Sequence, residues 1–247
     1  IQIQNHANTS EEDDVANIEH DEERGMENSL VQVDSDTYAL AYEGLDRDGY
    51  ISTFTIDSDG NITAVKTESE GNNLEHDENK GIYNSLVQVD SDTYALAYEG
   101  ANNHGHISTF TISSDGTSIV EVDTMEHDNV RGQYNSLVHV DSDTYALAYA
   151  GTDNDGYIST FTISSDGKTI TKLATLEHAP NNGEFNSLVQ VDSDTYALAY
   201  AGGDDDGWIT TFTIPADGST ITKVKTLEHA VNNGQYNSLV QVDSDTY

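Results

Sequence analysis

An all-β fold built from tandem four-stranded units is what this sequence predicts, and three features carry the prediction. The string NSLVQVDSDTY begins at Asn28, Asn84, Asn186 and Asn237, with NSLVHVDSDTY at Asn135, so the starts lie 56, 51, 51 and 51 residues apart. Self-similarity at that period marks a repeat architecture in which each copy is one supersecondary unit. The periodic segments are crowded with β-branched and aromatic residues, alternate with period two, and show none of the three-and-four spacing of amphipathic helices. Asp-Gly pairs at Asp59, Asp115, Asp166 and Asp217 place a tight turn at the same point of each copy.

Within the copy that starts at Asn186 the elements follow in order. Ser187 to Asp192 (SLVQVD) and Thr195 to Tyr200 (TYALAY) form two strands around an acidic turn at Ser193 and Asp194. In the second strand Tyr196, Leu198 and Tyr200 take one face, and Ala197 and Ala199 the other. After the loop AGGDDDG, Trp208 to Ile214 is a third strand, and TITKVKTLEH, ending at His229, is a fourth beyond the Asp217-Gly218 turn. Four strands in about 51 residues fit one blade of a β-propeller, whereas a parallel β-helix has shorter coils and no tight hairpins.

The ends of the chain suit ring closure. Ile1 to Gln4 aligns with a third strand, Val15 to His20 with a fourth, and Ser238 to Asp243 with a first, so together they make one composite blade. The expected organisation is a single domain, 1–247, with blades at about 21–76, 77–127, 128–178 and 179–229 and a fifth made of 1–20 and 230–247. A larger propeller or array is the alternative, because the composite blade lacks most of its second strand. The start at Ile1 and the stop within a motif lead us to expect a longer precursor with a removed leader.

The repeats at Tyr145 to Gly167, YALAYAG followed by DGYISTFTISSDG, resemble the tandem propeller repeats of secreted and surface proteins of bacteria and archaea. In blade regularity the chain is similar to five-bladed lectins of the tachylectin type, and in its acidic loop before a strand to integrin-type propellers. The resemblance implies an extracellular or cell-surface propeller.

With 9 Lys and Arg against 45 Asp and Glu, the formal charge is −36, which repels nucleic acid and anionic membranes and makes cations natural partners. Cysteine is absent, which excludes disulfides and thiolate metal sites. No apolar run is long enough to span a bilayer, so no direct membrane insertion is expected. The sequons at Asn8 and Asn61 are possible glycan acceptors.

Three constellations bear on function. The loops GLDRDGYI, GTDNDGYI and GGDDDGWI resemble calcium loops, which makes Asp46, Asp48, Asp153, Asp155, Asp204 and Asp206 candidate calcium ligands. Tyr50, His106, Tyr157 and Trp208 follow the loop glycine, one per blade, and an aromatic ring beside polar side chains is how a sugar is held. Glu-His pairs end at His20, His76, His127, His178 and His229. A transition-metal site is one reading of them, and a loop cap in which the neighbouring acid raises the His pKa is the favoured one.

The functional expectation is an extracellular structural or adhesive module, with other copies of itself or cell-surface proteins as partners and a surface filament as one assembly. A multivalent lectin for glycans is the alternative, because near-identical blades present repeated weak sites. A glycosidase ranks below both. Catalytic carboxylates from different blades should break the repeat, few departures are evident, and the expectation is therefore that the chain is not an enzyme.

Overall fold

In the computed structural model, residues 18–21, 24–66 and 73–242 are described. They form four antiparallel sheets, each a meander in chain order. The first holds β1 (Met26–Gln32), β2 (Thr37–Glu43) and β3 (Gly49–Ile56), with β4 (Ile62–Lys66) and β5 (Leu74–Asp77) sharing its outer edge. The second runs β6 (Ile82–Gln88), β7 (Thr93–Glu99), β8 (Gly105–Ile112), β9 (Ile119–Asp128). The third runs β10 (Gln133–Asp141), β11 (Thr144–Ala150), β12 (Gly156–Ile163), β13 (Ile170–Ala179), and the fourth β14 (Glu184–Gln190), β15 (Thr195–Ala201), β16 (Gly207–Thr213), β17 (Thr222–Ala230). The outer edge of the first sheet is divided between β4 and β5, both of which pair with β3.

Alternation in the TYALAY strand explains how the sheets stack. Ala146 and Ala148 of β11 form a low floor on which Tyr196, Leu198 and Tyr200 of β15 sit, and Ala95 and Ala97 of β7 receive Tyr145, Leu147 and Tyr149. Ala39 and Ala41 receive Tyr94, Leu96 and Tyr98 in the same way. A bulky face thus fills the space that a small face leaves, and both faces of these strands are buried.

Polar links repeat at each junction. Near the axis, the Leu86, Leu137, Leu188 and Leu239 amides donate to Ser29, Ser85, Ser136 and Ser187 Oγ, each at 2.9 Å. At the periphery, Thr53, Thr109 and Thr160 hydroxyls donate at 2.7 Å to the carbonyls of Gly116, Gly167 and Gly218 in the Asp-Gly turn of the next repeat. Those glycines have φ of 61° to 70°, which is why the turn takes glycine there. Because the half-buried Ser136 link ties two sheets together, Ser136→Ala is expected to cost about 1 kcal/mol of stability in urea titration.

The two chain ends depart from expectation. The strands expected at 1–4 and 15–20 fall largely outside the described residues. The strand expected from Ser238 is not formed among the described residues through 242. Its backbone still lies where an inner strand would, held by the Leu239 to Ser187 link and by Asn237 Nδ2 donating to the Phe185 carbonyl at 3.4 Å. On the opposite flank, Leu30 of β1 is 57% exposed where Leu86, Leu137 and Leu188 are 3–6% exposed, since no described strand lies against it. Among the described residues no helix is long and apolar enough to cross a membrane.

Candidate functional site

The loop that leaves each second strand is a single 3-10 turn, at Leu45–Arg47, Ala101–Asn103, Thr152–Asn154 and Gly203–Asp205. Its middle residue sits at φ of 55° to 61° in Asp46, Asn102, Asp153 and Asp204. Asp and Asn tolerate this left-handed conformation better than most residues, so their recurrence has a backbone reason. Asp48, Asp155 and Asp206 then lead into the third strand, and Asp206 Oδ1 accepts the Asn232 amide at 2.7 Å. Burial and the neighbouring Asp46 push the Asp48 pKa up. Among the described residues no group of three or more His, Asp or Glu side chains is placed to hold a metal ion.

Three of the four candidate sugar aromatics stack on the tyrosine next to the end of the second strand. Tyr50 stacks on Tyr42 with centroids 5.7 Å apart, His106 on Tyr98 at 5.5 Å, and Tyr157 on Tyr149 at 5.6 Å. One ring face is therefore spent on packing. Tyr50 is buried outright, whereas His106, Tyr157 and Trp208 are half-buried. Glycine before the turn makes this possible, since a Cβ at Gly44 would lie 2.5 Å from the Tyr50 ring and one at Gly202 2.6 Å from Trp208.

At the junction of the third and fourth sheets these features converge. A cleft of about 950 Å³ is walled by Asp153, Asn154 and Asp155 from one loop and by Asp204, Asp206 and Trp208 from the next. Its remaining wall includes Asn181 and Asn182, and His178, Tyr200 and Lys223 also reach it. Four of the six acids and one of the four aromatics singled out in the sequence are thus brought together. Asp46, Asp48, Tyr50 and His106 belong to other junctions.

The fourth repeat differs from the first three at one position that bears on the opening. Arg24, Lys80 and Arg131 occupy it in the first three, where Arg24 pairs with Glu43, Lys80 with Glu99 and Asn103, and Arg131 with Asn154. In the fourth it is Asn182, whose shorter side chain donates to the Gly202 carbonyl at 3.4 Å and hydrogen-bonds Glu184. The acid has also moved across the strand pair: Glu43 and Glu99 face Met26 and Ile82, but Ala201 faces Glu184. Burial, with Asp205 adding to it, pushes the Glu184 carboxyl pKa up against an Asn182 hydrogen bond and Arg131. Asn182, Lys223 and Glu184 were not singled out in the sequence, yet Glu184 is visible there as the acid where other copies have Met26, Ile82, Gln133 or Gln235.

The histidines require a correction. His76, His127 and His178 are buried, and their rings stand edge-on to Tyr98, Tyr149 and Tyr200 at 4.7–4.8 Å. Neither ring nitrogen of these three has a hydrogen-bond partner. They pack the core instead of capping a loop, and burial lowers each pKa to about 3 where a raised value was expected. The signal was present: each His follows a Leu or Met by two residues in a strand, which places both on one face.

No family model matches the sequence, and no curated protein does. Solved structures do. A functionally unknown protein from Desulfotomaculum acetoxidans superposes with a TM-score of 0.58 at 11% identity, covering 83% of this chain and 57% of its own. A protein from Lactobacillus plantarum gives 0.56 at 16% identity, covering 81% and 54%. A proposed exo-β-1,3-galactanase from Bifidobacterium bifidum gives 0.52 at 11%, covering 75% and 66%. The chain thus spans about half to two thirds of the length of these structures. The expectation that the chain is not an enzyme does not stand, because glycoside hydrolases are among the structures that share this architecture. At such identities the likeness establishes architecture, and the chain is a β-propeller by fold.

Proposed function

We propose that the protein recognises carbohydrate, and that the saccharide lies in the cleft between the third and fourth sheets. The observation that carries the reading is Trp208 meeting the side chains of Asp153, Asp155, Asp204 and Asp206 in one cavity of about 950 Å³. An indole presents a flat apolar face to a pyranose, and carboxylate and amide oxygens take its hydroxyls. Such a cavity is of the size that holds a small ligand. The test is a glycan array followed by calorimetry on the best ligand. Trp208→Ala is expected to weaken binding about tenfold or more, the equivalent of about 1.4 kcal/mol. Unchanged affinity in that variant would remove the cleft from consideration. Repeating the titration after chelation tests the calcium expected of the Asp loops.

Hydrolysis is a second reading, favoured by Glu184. A glycosidase needs one carboxyl held toward its neutral form as general acid and a second as base or nucleophile. Glu184, two residues along the chain from the cleft-lining Asn182 but not itself in the cleft wall, is the candidate for the former, and the cleft's Asp residues are the candidates for the latter. Turnover of aryl glycosides that disappears in Glu184→Gln while sugar binding persists would support it. Turnover unaffected by that substitution would assign the chemistry elsewhere.

We also read the ring as five-bladed, the segment from Asn237 supplying the inner strand of the last blade and the N-terminal residues its outer strands. Supporting this, Leu239 continues the ladder of Ser–Leu links, and residues of all five copies face one axial cavity. Class averages from electron microscopy would count the blades. Display outside the cell, where polysaccharides are met, belongs to the same proposal.

A further inference from the structure

The strand-entry motif places two rings of side chains around the axis, independently of the cleft. Each first strand carries a β-bulge, between Met26 and Ser29, Ile82 and Ser85, Gln133 and Ser136, and Glu184 and Ser187. The bulged residue has φ of 52° to 56° in Glu27, Tyr83, Tyr134, Phe185 and Tyr236. These five side chains, with the asparagine that follows each, line a single cavity of about 360 Å³. Since every repeat contributes one pair, the cavity lies on the axis about which the repeats are arranged.

The outer ring is an aromatic collar with one acid in it. Tyr83, Tyr134, Phe185 and Tyr236 pass ring to ring with centroids 4.4–4.5 Å apart, and Glu27 takes the fifth place. The inner ring is amide. Asn84, Asn135 and Asn186 each spend their nitrogen on a backbone carbonyl, of Gly81, Gly132 and Gly183 respectively, at 2.9–3.0 Å. Asn135 and Asn186 also donate at 3.1 Å to the carbonyls of Tyr83 and Tyr134 in the preceding repeat. This fixes each amide with its oxygen left over. The Oδ1 atoms of Asn84, Asn135 and Asn186 are buried and have no hydrogen-bond partner. Leaving a buried acceptor unpaired costs about 1–3 kcal/mol each, so three together at one cavity call for a donor.

We propose that this axial cavity is a binding site for an organic primary ammonium, whose three N–H donors meet the amide oxygens of Asn84, Asn135 and Asn186 while its carbon chain passes through the aromatic collar beside Glu27. The chemistry is complementary in each part. An ammonium offers three donors and no acceptor, against three acceptors with no donor. Aromatic faces attract a cation and shield its alkyl portion, and a carboxylate at the mouth supplies the opposite charge. The volume exceeds that of a bare metal ion and suits a short alkylamine or an amine-bearing residue. A chain of formal charge −36 draws such cations toward it.

The test uses n-butylammonium chloride as probe and follows the side-chain amide NMR signals of Asn84, Asn135 and Asn186, at constant ionic strength. Saturable shifts of these signals are expected, with tetramethylammonium, which has no N–H donor, binding at least tenfold more weakly. Glu27→Gln is expected to weaken the probe about tenfold, and Asn135→Ala to abolish it. Because Asn135 also ties two repeats together, Glu27→Gln at the exposed rim serves as the variant that keeps the fold. Absence of saturable shifts, equal binding of tetramethylammonium, or an affinity untouched by Glu27→Gln would each overturn the proposal. Potassium competing as well as the amine would make the cavity an inorganic-ion site and overturn it too.

Discussion

Replacing Gly132 with alanine is expected to destabilise the protein by about 3 kcal/mol or more, a cost set by backbone meeting backbone. A Cβ at Gly132 would lie 2.2 Å from the Gly105 Cα and 2.8 Å from its nitrogen. The same pairing recurs at Gly81 and Gly49, at Gly183 and Gly156, and at Gly234 and Gly207, with distances of 2.0–2.2 Å. Neither partner has a side chain that can turn aside, and the contact is held by the Gly132 amide donating to the Asn103 carbonyl at 3.1 Å. Gly60 provides the control: its φ is 83° but nothing lies within 4 Å of its Cβ position, so Gly60→Ala should cost only the conformational strain of about 1–2 kcal/mol. Urea titrations of the two variants decide the matter. Equal losses would mean that the glycine pair is not the tight point the geometry makes it.

The second large effect is acid sensitivity set by the buried histidines. In the folded chain His76, His127 and His178 are held neutral with pKa lowered to about 3, against about 6.5 when exposed. The unfolded chain therefore binds more protons as pH falls below 6.5, and stability is lost from there down toward 3. At pH 5 each histidine has taken away about 2 kcal/mol relative to pH 7.5, from 1.5 pH units at about 1.4 kcal/mol per unit. Above 6.5 the penalty is absent. His127→Phe preserves an edge-on aromatic ring against Tyr149 and should remove about a third of the histidine-linked slope. An unchanged pH dependence of unfolding in that variant would show that His127 is already charged in the native state.

Strands and turns were legible in the sequence because the repeat states them several times over, and each Asp-Gly turn falls where its glycine must take a positive φ. The environment of a side chain was less so. Tyr50 and Trp208 occupy the same place in their repeats, yet one is buried and the other lines a cleft. What separates them lies elsewhere in the chain, in an Asn182 where the first three repeats carry Arg or Lys, and an alignment of motifs does not reveal which side chain spans a neighbouring loop. The histidines show the opposite failure. Period two already placed them inward with Leu74, Met125 and Leu176, but an acid next to each in sequence drew attention to charge, although it points to the other face. Glu184 and the axial asparagines became functional candidates only when their burial and unpaired atoms were known.

Among the described residues, the three junctions between successive sheets are closed by the same serine-to-leucine bond and the same tyrosines over alanines, and that uniformity makes the route to the folded state ambiguous. An inner strand of one unit fits the second strand of any other unit as well as its own, so contact energy alone leaves several pairings nearly degenerate. What selects the right one is proximity along the chain. Closing a hairpin of about four residues rather than a loop of about 51 is favoured by roughly 2 kcal/mol at each strand. That margin is fixed within a molecule but not between molecules, since a crowded solution offers identical strands at no loop cost. Dilution should therefore raise the yield of correctly paired monomer, while concentrated refolding should yield chains exchanging whole blades.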